Sequence, residues 1–293
     1  MFADAHLEAL RAVVRTGSFE AAAAALGITP SAVSQRIKAL EERIGTVLVR
    51  RGHPCEATAA GARLCRHGEA VALLERALAE DLGKPAERAQ LRIAVNADSL
   101  ATWFLPAMAE AEGLLFDIVV DDQDHSADWL RRGEVMAAVT AHGTAVQGCD
   151  SRPLGALRYI ATASPGFAAR HFPEGITAQA LAQAPGMTYT TRDALQKRWV
   201  QQELGREAPF PTHFLPSTQA FVDGALLGLG WGMNPEALVA EHIRTGRLVA
   251  LGTRPVLDVA LHWQVNRLVR EPLAPLTRAV RASAARWLHA GSA

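Results

Sequence analysis

Four polar residues, Ser31, Ser34, Gln35 and Lys38, stand at i, i+3, i+4 and i+7, one face of an α-helix. Their chemistry suits the edges of base pairs. A glutamine can pair bidentately with adenine, a serine can bond either kind of partner, and a lysine can reach guanine or a phosphate. Short side chains near the start of such a helix let its backbone come close to a duplex. Helix N-terminal amides, with Arg50, Arg51 and His53 downstream, can then hold phosphates and fix register without reading sequence. The rival reading is a three-helix bundle whose outer face is merely solvated, and periodicity alone does not choose between the two.

A second constellation lies further along. The run LRIAV (91–95) reads as a strand feeding a helix that starts near Ser99, so free amides and the hydroxyls of Ser99 and Thr102 can receive a carboxylate. A helix beginning at Ser217 and Thr218 could do the same from a second lobe. A cationic ligand group would need an acid, and Asp98 and Asp122 each lie near the end of an apolar strand run. In open α/β sheets that is where ligands sit. Trp103 could cover an aliphatic stem. Each residue also has a structural role open to it: Asp98 or Ser99 as a helix cap, Asp122 in a solvated DDQD loop, Trp103 in the core.

The elements that must position these groups follow from periodicity. Leu7, Leu10 and Val14 mark a first helix from Asp4, closed by Gly17. Ser18 can cap a second over Phe19 to Leu26, and Gly27 ends it. After the turn GITP, Val33, Ile37, Leu40 and Ile44 form the buried stripe of a third. Residues 46–58 read as a two-stranded wing, and a long helix from about Thr58 to Leu82 carries Leu64, Val71, Leu74, Leu78 and Leu82 at near-heptad steps, a seam for a second copy. Beyond the charged stretch GKPAERAQ, apolar runs such as FDIVV and VMAAVT alternate with amphipathic helical patterns, the mark of open α/β sheets, and about 200 residues make two lobes with a cleft the expectation. In GLGWGMNP (228–235), superficially a dinucleotide loop, the acidic ribose partner is missing; Asn234 is instead expected to cap a helix with Pro235 in its first turn.

Composition narrows the function classes. With 293 residues, 49% hydrophobic, and 30 basic against 30 acidic side chains, the chain is ordinary globular material with no overall field for nucleic acid or membrane. A DNA-binding face must therefore be local, and between Ser31 and Arg66 seven Lys/Arg face three acids. Three irregularly spaced cysteines, Cys55, Cys65 and Cys149, fit neither a disulfide framework nor a zinc site. Neither a metal nor a cofactor is expected. The N-terminus is no secretory signal and no apolar run reaches transmembrane length, so the cytoplasm is the expected compartment and no membrane partner is expected.

The run SFEAAAAALGITPSAVSQRIKALEERIGTVLVRR, followed by TAAG, resembles the signature of LysR-type transcriptional regulators over the whole helix-turn-helix and wing. The resemblance places the family's base-reading positions on Pro30, Ser31, Ser34 and Gln35, its wing-base arginine on Arg51, and its dimerising linker helix after Thr58. Two residues depart from the pattern: Val49 stands where the family usually has phenylalanine, and Glu56 occupies an often basic part of the wing. VNADSLATWFLPA (95–107) and LRRGEVMAAVTAH (130–142) resemble the branch containing ArgP and the lysine-responsive LysG. That implies a sensor domain like the lobes of periplasmic binding proteins, L-lysine or L-arginine as effector, activation of genes for amino-acid export, double-stranded operator DNA and RNA polymerase as partners, and a homodimer or homotetramer.

The expected organisation is an α/β protein. A winged helix-turn-helix, mainly α, spans 1–58, a linker helix and hinge 59–90, and a two-lobed sensor 91–293, with lobe I at about 91–162 and 265–293 and lobe II at about 163–264. Rival functions are a LysR-type regulator with another effector, an architectural or replication-origin DNA-binding protein that needs none, and an enzyme. Against an enzyme stands the absence of H-E-x-x-H, G-x-S-x-G and P-loop motifs.

Overall fold

The computed structural model describes residues 4–121 and 126–290. Its N-terminal unit packs α1 (Asp4–Thr16), α2 (Phe19–Leu26) and α3 (Pro30–Ile44) around Leu10, Val13, Ala22, Val33, Ile37 and Leu40, all buried. The caps explain where these helices start: Ser18 accepts from the Ala21 amide at 3.2 Å and Thr29 from the Ala32 amide at 3.2 Å. Pro30 fits the first turn of α3, where no intrahelical N–H bond is lost. The wing is an antiparallel pair, β1 (Val49–Arg50) and β2 (Glu56–Ala57), with Arg50 opposite Glu56.

Helix α4 (Ala59–Asp81) meets the wing closely at Gly61, where a Cβ would lie 2.0 Å from the Leu48 carbonyl oxygen. Thr58 caps the helix and donates to the Val47 carbonyl at 2.8 Å, tying wing to linker. Leu73 is buried, whereas Leu74, Leu78 and Leu82 are 46%, 59% and 65% exposed and form an apolar stripe left open by the described residues.

The sensor follows as β3 (Ala89–Val95), a helical segment in three stretches comprising α5 (Ala97–Ser99), a π-helical turn (Leu100–Phe104) and α6 (Leu105–Ala109), then β4 (Leu114–Val120), α7 (Ser126–Arg131), β5 (Ala137–Thr140) and the long β6 (Cys149–Ala163). Next come α8 (Pro165–His171), α9 (Ala178–Leu181), β7 (Gly186–Thr188), α10 (Leu195–Leu204), β8 (Thr212–Phe214), α11 (Thr218–Leu226), β9 (Gly232–Pro235), α12 (Glu236–Arg244), β10 (Val249–Ala250), β11 (Val256–Asn266) and α13 (Ala274–Trp287). The π-helical turn has a local cause. Pro106 has no N–H to donate, and the helix widens just before it.

Seven strands form one curled sheet in the order β10-β6-β11-β5-β3-β4, with β9 on β6. Strands β6 and β11 run antiparallel through both lobes, and their register shifts between Leu261 and His262. Before the shift β11 shares β6 with β9 and β10 of lobe II; after it β11 pairs with β5 of lobe I. Gly155, opposite Leu261, has φ +126°, and a Cβ there would meet the His289 carbonyl oxygen at 2.7 Å. Residues 156–163 of β6 therefore pair within lobe II, where the sequence reading keeps lobe I to about 162. An apolar strand carries no mark of the point at which it changes lobes beyond one glycine and a bulge.

Asn234 is not a cap. It lies buried in β9 and donates to Thr162 Oγ1 at 2.9 Å, and Pro235 takes the position before α12. Among the described residues no helix is long and apolar enough to cross a membrane.

Candidate functional site

The outer face of α3 carries Ser31, Gln35 and Lys38 exposed and Ser34 half-buried, with Pro30 exposed at its start. The buried stripe Val33, Ile37 and Leu40 holds the helix on the bundle, so these polar groups point outward by geometry. Ser31 Oγ lies 3.2 Å from Thr29 Oγ1, and Lys38 pairs with Glu42 at 3.7 Å on its own helix, a contact water screens heavily. On the wing Arg51 stacks its guanidinium 5.2 Å from the Phe19 ring centroid, which holds it beside α2. Arg50 pairs across the hairpin with Glu56 at 3.4 Å, so the acid of the wing lies against one of its cations. His53 is exposed. Helix face and wing together make a convex polar surface with no buried charge.

The second site is concave. A cavity of about 480 Å³, in part open to solvent, lies between the lobes. Asn96, Ala97, Asp98 and Asp121 line it from lobe I. Tyr189, Asp193, Gln196 and Thr218, with the apolar Leu195, Phe221 and Met233, line it from lobe II. Of the residues singled out from sequence, the structure brings Asp98 and Thr218 together here: Thr218 Oγ1 donates to Asp98 Oδ1 at 2.6 Å. Tyr159 from β6 donates to the other oxygen, Asp98 Oδ2, at 2.7 Å.

The other candidates occupy different places. The helix begins at Ala97 after Asn96, earlier than Ser99, because Asn96 keeps extended backbone and β3 ends at Val95. Ser99 is fully buried behind the cavity wall, and its hydroxyl has no partner. Thr102 donates to the Asp98 carbonyl at 2.6 Å, one turn back along its own helix. Trp103 does not lie over the cavity; it is wholly buried, edge-on to Phe104 at 5.5 Å, in the lobe I core. Ser217 is exposed and caps α11 by accepting from the Ala220 amide at 3.3 Å. Asp122 lies outside the described residues.

Several cavity residues were not read from the sequence. Asp193 is buried in the turn before α10, its oxygens accepting the Tyr189 amide at 3.0 Å and the Leu195 amide at 2.9 Å. Asp121 accepts the Trp129 indole N–H at 2.8 Å and pairs with Arg192 of lobe II at 3.3 Å. Gln196, 1% exposed, has no partner for its Oε1. A strand-end acid was the available signal for Asp121; a helix residue such as Gln196 carries none.

The electrostatics agree with an acidic site. Burial pushes the Asp98 carboxyl above the ordinary carboxylate range, against the pull of its two hydroxyl donors. Burial, with Asp98 and Asp121 nearby, raises the Tyr189 phenol as well. Among the described residues three carboxyl groups, those of Asp98, Asp121 and Asp193, line the space, and the Arg192 guanidinium pairs with Asp121.

The comparisons agree with this division. Residues 5–62 match the bacterial regulatory helix-turn-helix protein, lysR family, and residues 84–288 match the LysR substrate binding domain. The transcriptional regulator LysG of Mycobacterium bovis is 47% identical over 280 residues, 95% of this chain and 92% of that protein. The crystal structure of ArgP from Mycobacterium tuberculosis, 46% identical, superposes with a TM-score of 0.81 over 98% of both chains. Full-length LysG from Corynebacterium glutamicum with bound effector Arg is 35% identical, with a TM-score of 0.69 over 98% of this chain and 99% of that one. Relatives in this family are regulators and not enzymes. The chain belongs to the LysR family of DNA-binding transcriptional regulators, in the branch that holds LysG and ArgP.

Proposed function

We propose that this regulator binds L-arginine or L-lysine in the cavity between its lobes and uses that binding to switch on a gene for amino-acid export. The observation that carries the reading is the cavity wall: among the described residues it holds the carboxyl groups of Asp98, Asp121 and Asp193 and no cationic side chain, with the Gln196 Oε1 lacking a donor. A ligand bearing an ammonium or guanidinium supplies the missing positive charge and donor. A neutral ligand of the same length brings these carboxyl groups no opposite charge and so gains nothing from them. The apolar Leu195, Phe221 and Met233 suit an aliphatic stem, and the first turn of α11 beside Thr218 suits its α-carboxylate. The arginine-bound LysG neighbour supports the same ligand class.

On the DNA side, Pro30, Ser31, Ser34, Gln35 and Lys38 meet base edges in an operator's major groove. Arg50, Arg51 and His53 hold phosphates. The exposed stripe Leu74, Leu78 and Leu82 pairs two linker helices, giving a cytoplasmic homodimer or tetramer that presents two reading heads to DNA and meets RNA polymerase there. Residues 1–58 read, 59–90 join and 91–293 sense.

Calorimetric titration with arginine, lysine and norleucine tests the effector. Arginine or lysine is expected to bind at least about tenfold more tightly than norleucine, whose stem is similar but uncharged. Equal binding of norleucine would remove the case for an acidic subsite.

A further inference from the structure

Asp98 stands at the start of the lobe I helix, and both hydroxyls it accepts belong to lobe II. Tyr159 lies on the part of β6 that pairs with β9, opposite Pro235. Thr218 is the first residue of α11. The bonds are 2.7 Å and 2.6 Å long, one to each carboxylate oxygen. Partners 61 and 120 residues away in sequence thus converge on one side chain.

Two other contacts near the cavity differ in kind. Arg192 reaches Asp121 at 3.3 Å, but the arginine side chain is 59% exposed, so water and salt weaken the pair. His289 pairs with Glu236 at 2.6 Å beside the β-bridge to Ala156, at the strand crossing. A contact at the crossing does little to resist hinging there. Asp98 sits in the cavity wall itself, where its carboxyl takes two short hydroxyl donors, one on each oxygen.

We propose that Asp98 is a positioning residue that clasps lobe II onto lobe I through the hydroxyls of Tyr159 and Thr218, setting the closed form that the effector meets. This rests on the reading of the cavity as the effector site. The clasp works by hydrogen bonding across the cleft and does not require a formal charge. An asparagine can replace the carboxylate, accepting one hydroxyl at Oδ1 and donating Nδ2 to the oxygen of the other. Effector affinity follows closure, because a protein that is closed for only part of the time binds in proportion to that fraction.

Thr218 allows a clean test, because the α11 cap belongs to Ser217. Thr218→Val keeps shape and cap while removing the hydroxyl, and Thr218→Ser restores it. Hydrogen–deuterium exchange of the full-length protein without ligand is followed in 97–109 and 218–226. Thr218→Val, which loses one of the two bonds, and Asp98→Ala, which loses both, are each expected to exchange at least about tenfold faster in both segments together. Thr218→Ser and Asp98→Asn are expected to match the parent within about threefold. Should Asp98→Ala not fold, the Thr218 pair carries the comparison alone. Unchanged exchange in Thr218→Val, acceleration confined to one segment, or failure of serine to restore protection would overturn the clasp. Saturating arginine is expected to slow exchange in Thr218→Val back toward the parent rate. If arginine leaves even the parent unaffected, the effector reading fails while the ligand-free comparison still decides the clasp.

Discussion

The proposed DNA-reading face and the proposed effector cavity expose their polar groups to opposite conditions. Gln35, Lys38 and Arg51 stand in water on a convex surface within a stretch of 17 residues. None pays a desolvation cost, and each can act on its own. In the cavity, Asp193 and Gln196 are withdrawn from water and Asp98 is half-buried, each held by donors from other elements or left wanting one. The contrast teaches where function is separable from fold. On the outer face a substitution is expected to remove a contact with DNA and little else. In the cavity the groups proposed to meet ligand are also those proposed to hold the lobes, so binding and closure are expected to move together.

The largest expected effect concerns the junction between reading head and linker. Gly61→Ala places a methyl group where the Leu48 carbonyl oxygen stands, 2.0 Å from the new Cβ, and backbone on one side must move. Overpacking of this kind is expected to cost about 3 kcal/mol, seen as a lower denaturant midpoint for the N-terminal unit, with DNA binding lost and arginine binding kept. An unchanged midpoint would show that wing and linker do not meet as described. Smaller effects separate reading from anchoring on the convex face. Gln35→Ala is expected to cost about 1 to 3 kcal/mol on the specific site and relax preference at one base pair, with little change on random DNA. Arg51→Ala is expected to weaken both DNAs and to lower the slope of log affinity against log salt by about one. Identical behaviour of the two variants in anisotropy titrations would erase the distinction.

The same contrast decides how much the sequence discloses. Ser18 and Pro30 announce their helices because cap and first-turn preferences are local, and the stripe Val33, Ile37, Leu40 orients α3 unaided, whereas the Thr29 cap inside the GITP turn emerges only in the structure. The alternation of strands and helices likewise announces an α/β sensor. The cavity resists such reading. Asp98 is visible as a strand-end acid, but its partners Tyr159 and Thr218 are brought to it only by the crossing of β6 and the return of α11. Trp103, attractive as a cover for a ligand, goes into the core because the helical segment turns that face inward against Phe104. Asn234 looks like a cap because a helix follows it closely, yet pairing of β9 with β6 extends to Pro235 and claims it for the sheet.

Occupancy of the concave site is expected to change how the convex one meets DNA. A ligand can shift a conformational equilibrium only through unequal affinity for its two states. The most direct measurement is a footprint on a duplex selected by the protein from a random pool, taken at fixed protein concentration with no ligand, with saturating arginine and with saturating norleucine. The account predicts that arginine alters the extent or pattern of protection, that norleucine does not, and that the alteration is weakened in Thr218→Val at limiting arginine. Footprints identical under all three conditions would contradict it and favour a DNA-binding protein that needs no effector.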